Sequence, residues 1–359
     1  MPLQKFFLSL FTLSTVLPLS NALPSSYSSP FKSGLIPLAG LPKGARQEHA
    51  TVYMAPDTIA VVGGIAPNAS APVAPFSSTD HVELYSITKN TWRSAAPLPR
   101  PLNHPNTASV NGQIYVFGGM DDGGEARERF RTVPESWVYN PRKNAWSPIS
   151  PFPNPRGAAA LAVHKGKVYI VGGYTELILA SQIPLPEAIS DLVSVYDTQT
   201  STWVTDSLPA AAKHIPGTRD HARAEVVNGK LFVIGGFAYG GYNQSDTVFI
   251  LDLQNLEAGW ETSSARMPTP RASFASGVFG KKIYTIGGEG NATADAWIPL
   301  RVFNDVEVYD VEDNSWSKRG PISYSRQGQG VGVGRKLYIP AGADRQPVGP
   351  VGRFDAYVV

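Results

Sequence analysis

"KVYIVGGY", Lys167–Tyr174, is a short run of strand-forming residues ending in two glycines. Two glycines behind a hydrophobic strand serve one of two purposes. They can cradle a phosphate, which requires a helix to start just after them so that its N-terminus faces the anion. Or they can be a joint in a repeated β-unit. No helical periodicity follows Gly173, and the stretch recurs. Double glycines stand at Gly63-Gly64, Gly118-Gly119, Gly172-Gly173, Gly235-Gly236 and Gly287-Gly288, with a degraded sixth copy at Ala341-Gly342. The intervals are 55, 54, 63, 52 and 54 residues, and each copy closes a short apolar run: "IAVVGG", "IYVFGG", "VYIVGG", "LFVIGG", "IYTIGG", "LYIPAG". The joint is therefore the reading to carry forward.

A second landmark follows the glycines. A tyrosine on an apolar strand is succeeded seven residues later by a tryptophan in Tyr85/Trp92, Tyr139/Trp146, Tyr196/Trp203 and Tyr309/Trp316. The fourth repeat keeps Trp260 behind "VFILDL". Each unit reads as four strands, a to d. In the third, strand a is Ala158–Lys165, Gly166 makes the turn, strand b is "KVYIVGG", strand c is "LVSVYDT" and strand d surrounds Trp203. The equivalent a–b turns hold Asn111-Gly112, Asn228-Gly229 and Gly280-Lys281, and Asn-Gly suits a two-residue hairpin because both positions accept positive φ. The tyrosine and tryptophan are expected to lie as apolar plates between neighbouring units, each with a polar handle to satisfy.

Strand, double glycine, loop, tyrosine strand and tryptophan at about 50-residue spacing resemble Kelch repeats, the unit of one class of β-propellers. The resemblance covers nearly all of the chain after its first residues and implies an all-β, six-bladed Kelch propeller over residues 34–359. The last repeat has strand b "KLYIPAG" and strand c "RFDAYVV" but no tryptophan strand, while "LIPLAGLPKGAR" (Leu35–Arg46) precedes the first repeat, with Leu35 at the tryptophan position. The N-terminal strand is thus predicted to complete the sixth blade, which removes the open sheet edges.

Composition sets the compartment and excludes partners. The chain has 359 residues, 42% apolar and 17% charged, enough for a sizeable core. With 31 basic and 29 acidic residues it has no charge excess to favour nucleic acid or a membrane surface. Lys5, the apolar run Phe6–Leu19 and "SNA" (Ser20–Ala22) read as a secretory signal peptide over residues 1–22, with no membrane anchor and a Ser- and Pro-rich flexible leader at 23–33. The expected product is a secreted monomer without cysteine, and Asn68, Asn243 and Asn291 open glycosylation sequons on loops between strands b and c.

Candidate chemistry lies in what surrounds the repeat. Arg156, Arg219 and Arg271 each stand 13 residues before the aromatic of strand b; Arg326 and Arg46 stand 12 and 14 before the equivalent position, and Leu102 replaces the arginine in the second repeat, with Arg100 and His104 nearby. Strand a lines a propeller axis, so these side chains are expected to form a partial ring at one channel mouth. There they either bind carboxylate or phosphate or pair with neighbouring loop carbonyls and acids. "RDHARAEVV" gives the fourth repeat the most polar strand a, with Arg219, His221, Arg223 and Glu225 alternating onto one face. Glu48, His49 and His104 are placed to face it. Trp297, outside the repeat, marks a long loop as a possible ligand wall. No two histidines share a ligand spacing on one strand, so no metal or cofactor is expected; the copper-radical chemistry known on Kelch propellers needs a cysteine, and there is none. "GQGVGVG" (Gly328–Gly334) places glycine at every second position of a strand near the axis and reads as close backbone approach.

The preferred function is a secreted binding protein that uses the face of the b–c and d–a loops and the channel mouth to hold a protein, a glycan or a small molecule. The alternative is an enzyme or accessory protein acting on a secreted small molecule, such as a sugar isomerase-like activity or a component of secondary-metabolite biosynthesis. Glu225 and His221 would then be the acid–base pair, and hydrogen-bond reach between them is the feature that separates the two.

Overall fold

A computed structural model describes residues 34–70, 76–122, 129–178, 188–238, 243–290, 301–346 and 349–359. The segments expected to be a signal peptide and leader (residues 1–33), Asn291 and Trp297 lie outside these residues. Among the described residues six antiparallel sheets, each with strands in the order a-b-c-d, form the blades of a propeller; five are four-stranded, and in the second blade Glu176–Ile178 adds a fifth strand against strand c. Strands a to d are Ala50–Met54, Thr58–Val62, Val82–Ser86 and Thr91–Ser94 in blade 1, and Asn106–Val110, Gln113–Asp121, Arg129–Asn140 and Ala145–Ile149 in blade 2. Blade 3 uses Ala160–His164, Lys167–Val171, Val193–Asp197 and Thr202–Trp203; blade 4 uses Arg223–Val227, Lys230–Ile234, Val248–Asp252 and Trp260–Thr262. Blade 5 uses Ala275–Phe279, Lys282–Ile286, Val306–Asp310 and Ser315–Arg319. Blade 6 takes strands a to c from Val331–Val333, Lys336–Pro340 and Phe354–Val358 and its fourth strand, Leu35–Leu38, from the other end of the sequence. Leu35 pairs with Tyr357 where Trp92 pairs with Tyr85 and Trp316 with Tyr309, so the register of closure is the one the spacing gives.

The repeated residues tie each blade to the next. Tyr85, Tyr139 and Tyr309 each donate a 2.7 Å hydrogen bond to the asparagine of their own c–d turn: Asn90, Asn144 and Asn314. The tryptophan indoles reach back one blade, Trp92 to Ala39 O (2.6 Å), Trp146 to Ala96 O (3.0 Å), Trp203 to Ser150 O (3.3 Å) and Trp260 to Ala212 O (3.2 Å). Each buries an aromatic plate between sheets and still satisfies its polar end.

The double glycines are joints. Both have positive φ in every complete copy, 65° and 99° at Gly172 and Gly173. The second donates its N–H to the backbone of the next blade: Gly173 to Arg219 O, Gly236 to Arg271 O, Gly288 to Arg326 O, and Gly342 across the closure to Arg46 O. A Cβ on Gly172 would stand 2.2 Å from Arg219 O, so a side chain is excluded by contact as well as by conformation. Gly277 of blade 5 and Gly332 of blade 6 approach as closely, a Cβ on the first lying 2.9 Å from the Cα of the second, which accounts for the alternating glycines of the last strand a.

Candidate functional site

The recurring arginines are beams of the fold. Arg46, Arg156 and Arg271 are at most 1% exposed, and each donates to the carbonyl of the first residue of its own double glycine, at Gly63, Gly172 and Gly287; Arg326 does the same at Ala341. Their positive charge is met from the second residue of strand c. Glu83 pairs with Arg46, Glu307 with Arg271 at 3.1 Å and Asp355 with Arg326 at 2.5 Å. In blade 4 the Phe249 ring lies 4.7 Å under the Arg219 guanidinium, which also bonds Ser245 and Thr247. In blade 3 that place holds only the Ser194 hydroxyl, with the carbonyls of Asn154, Ile170, Gly172 and Leu192, and burial lowers the Arg156 pKa to about 9 against the opposing charge of Asp191. Blade 2 dispenses with the charge. Leu102 replaces the arginine, Trp137 the acid, and both lie in one apolar cluster. Of the two uses expected of these arginines, the geometry matches pairing with carbonyls and acids: a buried charge must be paired, and these side chains turn into the blades rather than toward the axis.

Two residues after each arginine position the chain adopts the left-handed conformation. These residues are Glu48 (φ 53°), His104 (47°), Ala158 (52°), His221 (51°), Ser273 (53°) and Gly328 (137°), one per blade. They form a collar around the axis, and from the second member on each N–H is bonded to the carbonyl of the preceding one: His104 to Glu48 O (2.9 Å), Ala158 to His104 O (3.3 Å), His221 to Ala158 O (2.9 Å), Ser273 to His221 O (3.0 Å) and Gly328 to Ser273 O (2.7 Å). The left-handed turn breaks the alternation expected along "RDHARAEVV". Arg219 goes into the blade, His221 into the collar, and only Arg223 and Glu225 share the channel face.

The collar assembles a polar cluster from distant repeats. His104 Nε2 and His221 Nε2 lie 3.1 and 3.5 Å from the same oxygen, Glu48 Oε2. His104 Nδ1 is 2.5 Å from Asn103 Oδ1, His221 Nδ1 is 2.6 Å from Asp220 Oδ1, and Glu48 Oε1 accepts from Gln327 Nε2 at 3.0 Å. Tyr174 stacks on His221, and its hydroxyl and Asp220 Oδ2 are buried without a hydrogen-bond partner among the described residues. Burial disfavours the His221 cation, but the hydrogen bonds and charges of Asp220 and Glu48 outweigh it and raise its pKa to about 10. Burial lowers His104. For Glu48, burial acts upward and the two histidines override it, holding the carboxyl well below the usual range. Next to the cluster, burial and the Glu48 charge raise Glu289 to about 7; it accepts a 2.6 Å bond from Ser273. His49 does not join. It is driven to about 3 by burial and by Arg46, and stays neutral in the core.

The collar encloses a space of about 30 Å³, and the axis then widens into a channel of about 370 Å³ walled by the six a strands. Its charged pair is Arg223 and Glu225. Ser276 Oγ donates to Glu225 Oε1 at 2.6 Å, and Arg223 reaches Ser276 Oγ (3.3 Å) and Gly330 O (3.4 Å). Thr51, Thr107, Ser109 and Gln329 add polar lining. On the loop face the collar is covered by the apolar cluster of Ile65, Phe76, Met120, Phe130, Tyr174 and Ile189. That face carries both described sequon asparagines, Asn243 exposed and Asn68 half-buried.

Glu225 bonds Ser276 while His221 bonds Asp220 and Glu48, so these two residues hold different partners. The roles of Asn103, Asp220, Gln327 and Glu289 were not foreseen. Their signal is positional: the first three directly follow the arginine position, and Glu289 directly follows a double glycine.

Comparison with known proteins adds the relationship. The profile of the KLHDC2/KLHL20/DRC7 Kelch-repeats domain matches residues 32–203 and 186–342. Kelch-like protein terF of Aspergillus terreus is 32% identical over 302 residues, covering 83% of this chain and 61% of its own. Beta-scruin of Limulus polyphemus is 28% identical over 68% of this chain and 25% of its own. The chain thus spans less than two thirds of these curated relatives. The solved structure of YjhT superposes with a TM-score of 0.71 at 19% identity, over 89% of this chain and 96% of that one, a likeness of fold alone.

Proposed function

The chain belongs to the Kelch-repeat family, and from that premise we propose that it is a secreted binding protein whose axial channel holds a small polar molecule bearing an acidic group. The observation that carries the reading is the Arg223–Glu225 pair, the charged groups on the channel wall, set in a space of about 370 Å³. That volume is within the range of small-molecule sites. Arg223 offers a guanidinium fork to a carboxylate. Glu225 and the hydroxyls of Thr107 and Ser109 accept or donate to the rest of the ligand. Holding a ligand needs no more than this, whereas catalysis needs an acid and a base on one reacting group, and here those groups are separately engaged. The glycan-bearing loop face then serves solubility or a protein partner, apart from the channel.

A thermal-shift screen with small carboxylic acids, hydroxy acids and neutral sugars tests this. Acids are expected to raise the melting temperature of the parent chain and not of Arg223→Gln or Glu225→Gln. Acids that stabilise the variants equally, or a panel without a single stabilising acid, would refute it.

A further inference from the structure

The collar cluster leaves one contact, His104 Nε2 against Glu48 Oε2 at 3.1 Å, that its hydrogen bonds do not close. Ser78 Oγ lies 2.5 Å from the Asp122 carboxylate and gives its proton there. It can therefore only accept from Asn103, whose Nδ2 is 2.7 Å away. That orients Asn103 Oδ1 toward His104 Nδ1, so Nδ1 carries the ring proton and Nε2 presents a lone pair. Asp220 likewise takes the Nδ1 proton of His221, because a carboxylate oxygen 2.6 Å from Nδ1 needs a donor, and with no metal bound Glu48 faces a second proton on Nε2. Two ring nitrogens, each with its far nitrogen engaged, and a carboxylate oxygen therefore converge, with edges of 3.1 and 3.5 Å, and all three atoms lie within 4.8 Å of one another. The proton on His221 Nε2 closes one of these edges, while the lone pair of His104 Nε2 still faces the carboxylate; one cation in place of that proton would join all three atoms.

We propose that Glu48, His104 and His221 bind one divalent transition-metal ion of the zinc type on the propeller axis. Four ligands at roughly 2.0–2.1 Å from a tetrahedral ion stand about 3.3 Å apart, between the two measured edges. The outer groups are those such a site uses. Each histidine donates its far nitrogen to an oxygen, Asn103 or Asp220, and the carboxylate is held by Gln327, which fixes tautomer and orientation. Imidazole nitrogen and carboxylate together suit zinc and its first-row neighbours better than calcium or magnesium. The space of about 30 Å³ within the collar leaves room for a water beside the ion. That space shares Pro105, Ala159, Arg223 and Gln329 with the channel lining. The site was not legible as a spacing because its ligands come from blades 1, 2 and 4. The assignment stands apart from the channel reading: the ion needs no channel ligand, and its test uses none.

The experiment is metal analysis of the chelator-washed chain reloaded with zinc, with cobalt(II) as a spectroscopic substitute. One equivalent of zinc per chain is expected, with cobalt giving the visible absorption of a low-coordinate nitrogen–oxygen site that zinc abolishes. His104→Ala and Glu48→Gln should lose the equivalent. Asp220→Asn, which removes only the outer carboxylate, should weaken affinity about 10–100-fold. His214→Ala, at an exposed histidine of blade 3, should bind as the parent does. The cobalt measurement on the parent chain decides the matter even if a ligand variant fails to fold. Absence of stoichiometric zinc and of a cobalt spectrum would overturn the proposal and leave a proton alone bridging the cluster, as would full binding by a folded His104→Ala/His221→Ala chain.

Discussion

Replacing Glu83 by glutamine is the most direct test of why the arginines recur. The side chains of Arg46 and Glu83 are both 0% exposed, and burial lowers the arginine pKa against the opposing pull of Glu83. Without the carboxylate, Arg46 keeps two carbonyls, Gly63 O and His81 O, each at 3.2 Å, and the second already accepts from Gly63 N at 2.9 Å. Glutamine preserves size and one acceptor oxygen, so the loss is that of charge compensation. Breaking a buried pair costs about 3–5 kcal/mol, and the glutamine oxygen returns about 1 kcal/mol of hydrogen bonding. The net cost is roughly 2–4 kcal/mol, a large share of the roughly 5–15 kcal/mol that holds a domain together. At roughly 2–4 °C per kcal/mol for a large domain, the midpoint falls by roughly 10 °C. The assay is denaturant unfolding of the parent, Glu83→Gln, Arg46→Met and Arg46→Met/Glu83→Gln. The double variant, which leaves no unpaired charge, should be more stable than the sum of the single costs allows. A Glu83→Gln cost under about 1 kcal/mol, or simple additivity in the double variant, would show that the arginine does not depend on its partner.

Three further outcomes are expected. Ser194→Asp gives Arg156 the carboxylate that blades 1, 5 and 6 possess and should raise stability by about 1 kcal/mol in denaturant unfolding. Deleting the chain through Leu38 strips the fourth strand from Phe354–Val358 and exposes a sheet edge; light scattering should show aggregation, while Leu35→Ala, which only empties a 5%-exposed site, should cost about 2–4 kcal/mol and scatter as the parent does. Glu289 prefers its protonated form in the folded chain, with a pKa raised to about 7 by burial and Glu48. Between about pH 4.5 and 7 the folded state therefore binds more protons than the unfolded state, so stability falls as pH rises, by roughly 3 kcal/mol in all, and is flat above. Glu289→Gln should remove that slope in chelator-treated protein.

Periodicity alone determined the architecture. Six glycine joints and the Tyr/Trp spacing give the blades, and Leu35 at a tryptophan position gives the closure. These features are legible because every blade must solve the same packing problem with the same local residues. The arginine positions were equally visible, but not their direction. The clue lay in the strand c residue opposite each one: Glu83, Glu307 and Asp355 beside arginines, Trp137 where Leu102 replaces the arginine, a match between places about 35 residues apart.

The collar was decided only by the tertiary structure. His104 and His221 are 117 residues apart, and nothing local tells a histidine to take φ near 50° and face an axis. Cyclic closure does so, since it carries one residue of every repeat to the same height around a narrow centre. There the repeat constrains the backbone and leaves the side chain free, so Glu48, His104 and His221 meet through the symmetry of the fold rather than through any spacing in the chain.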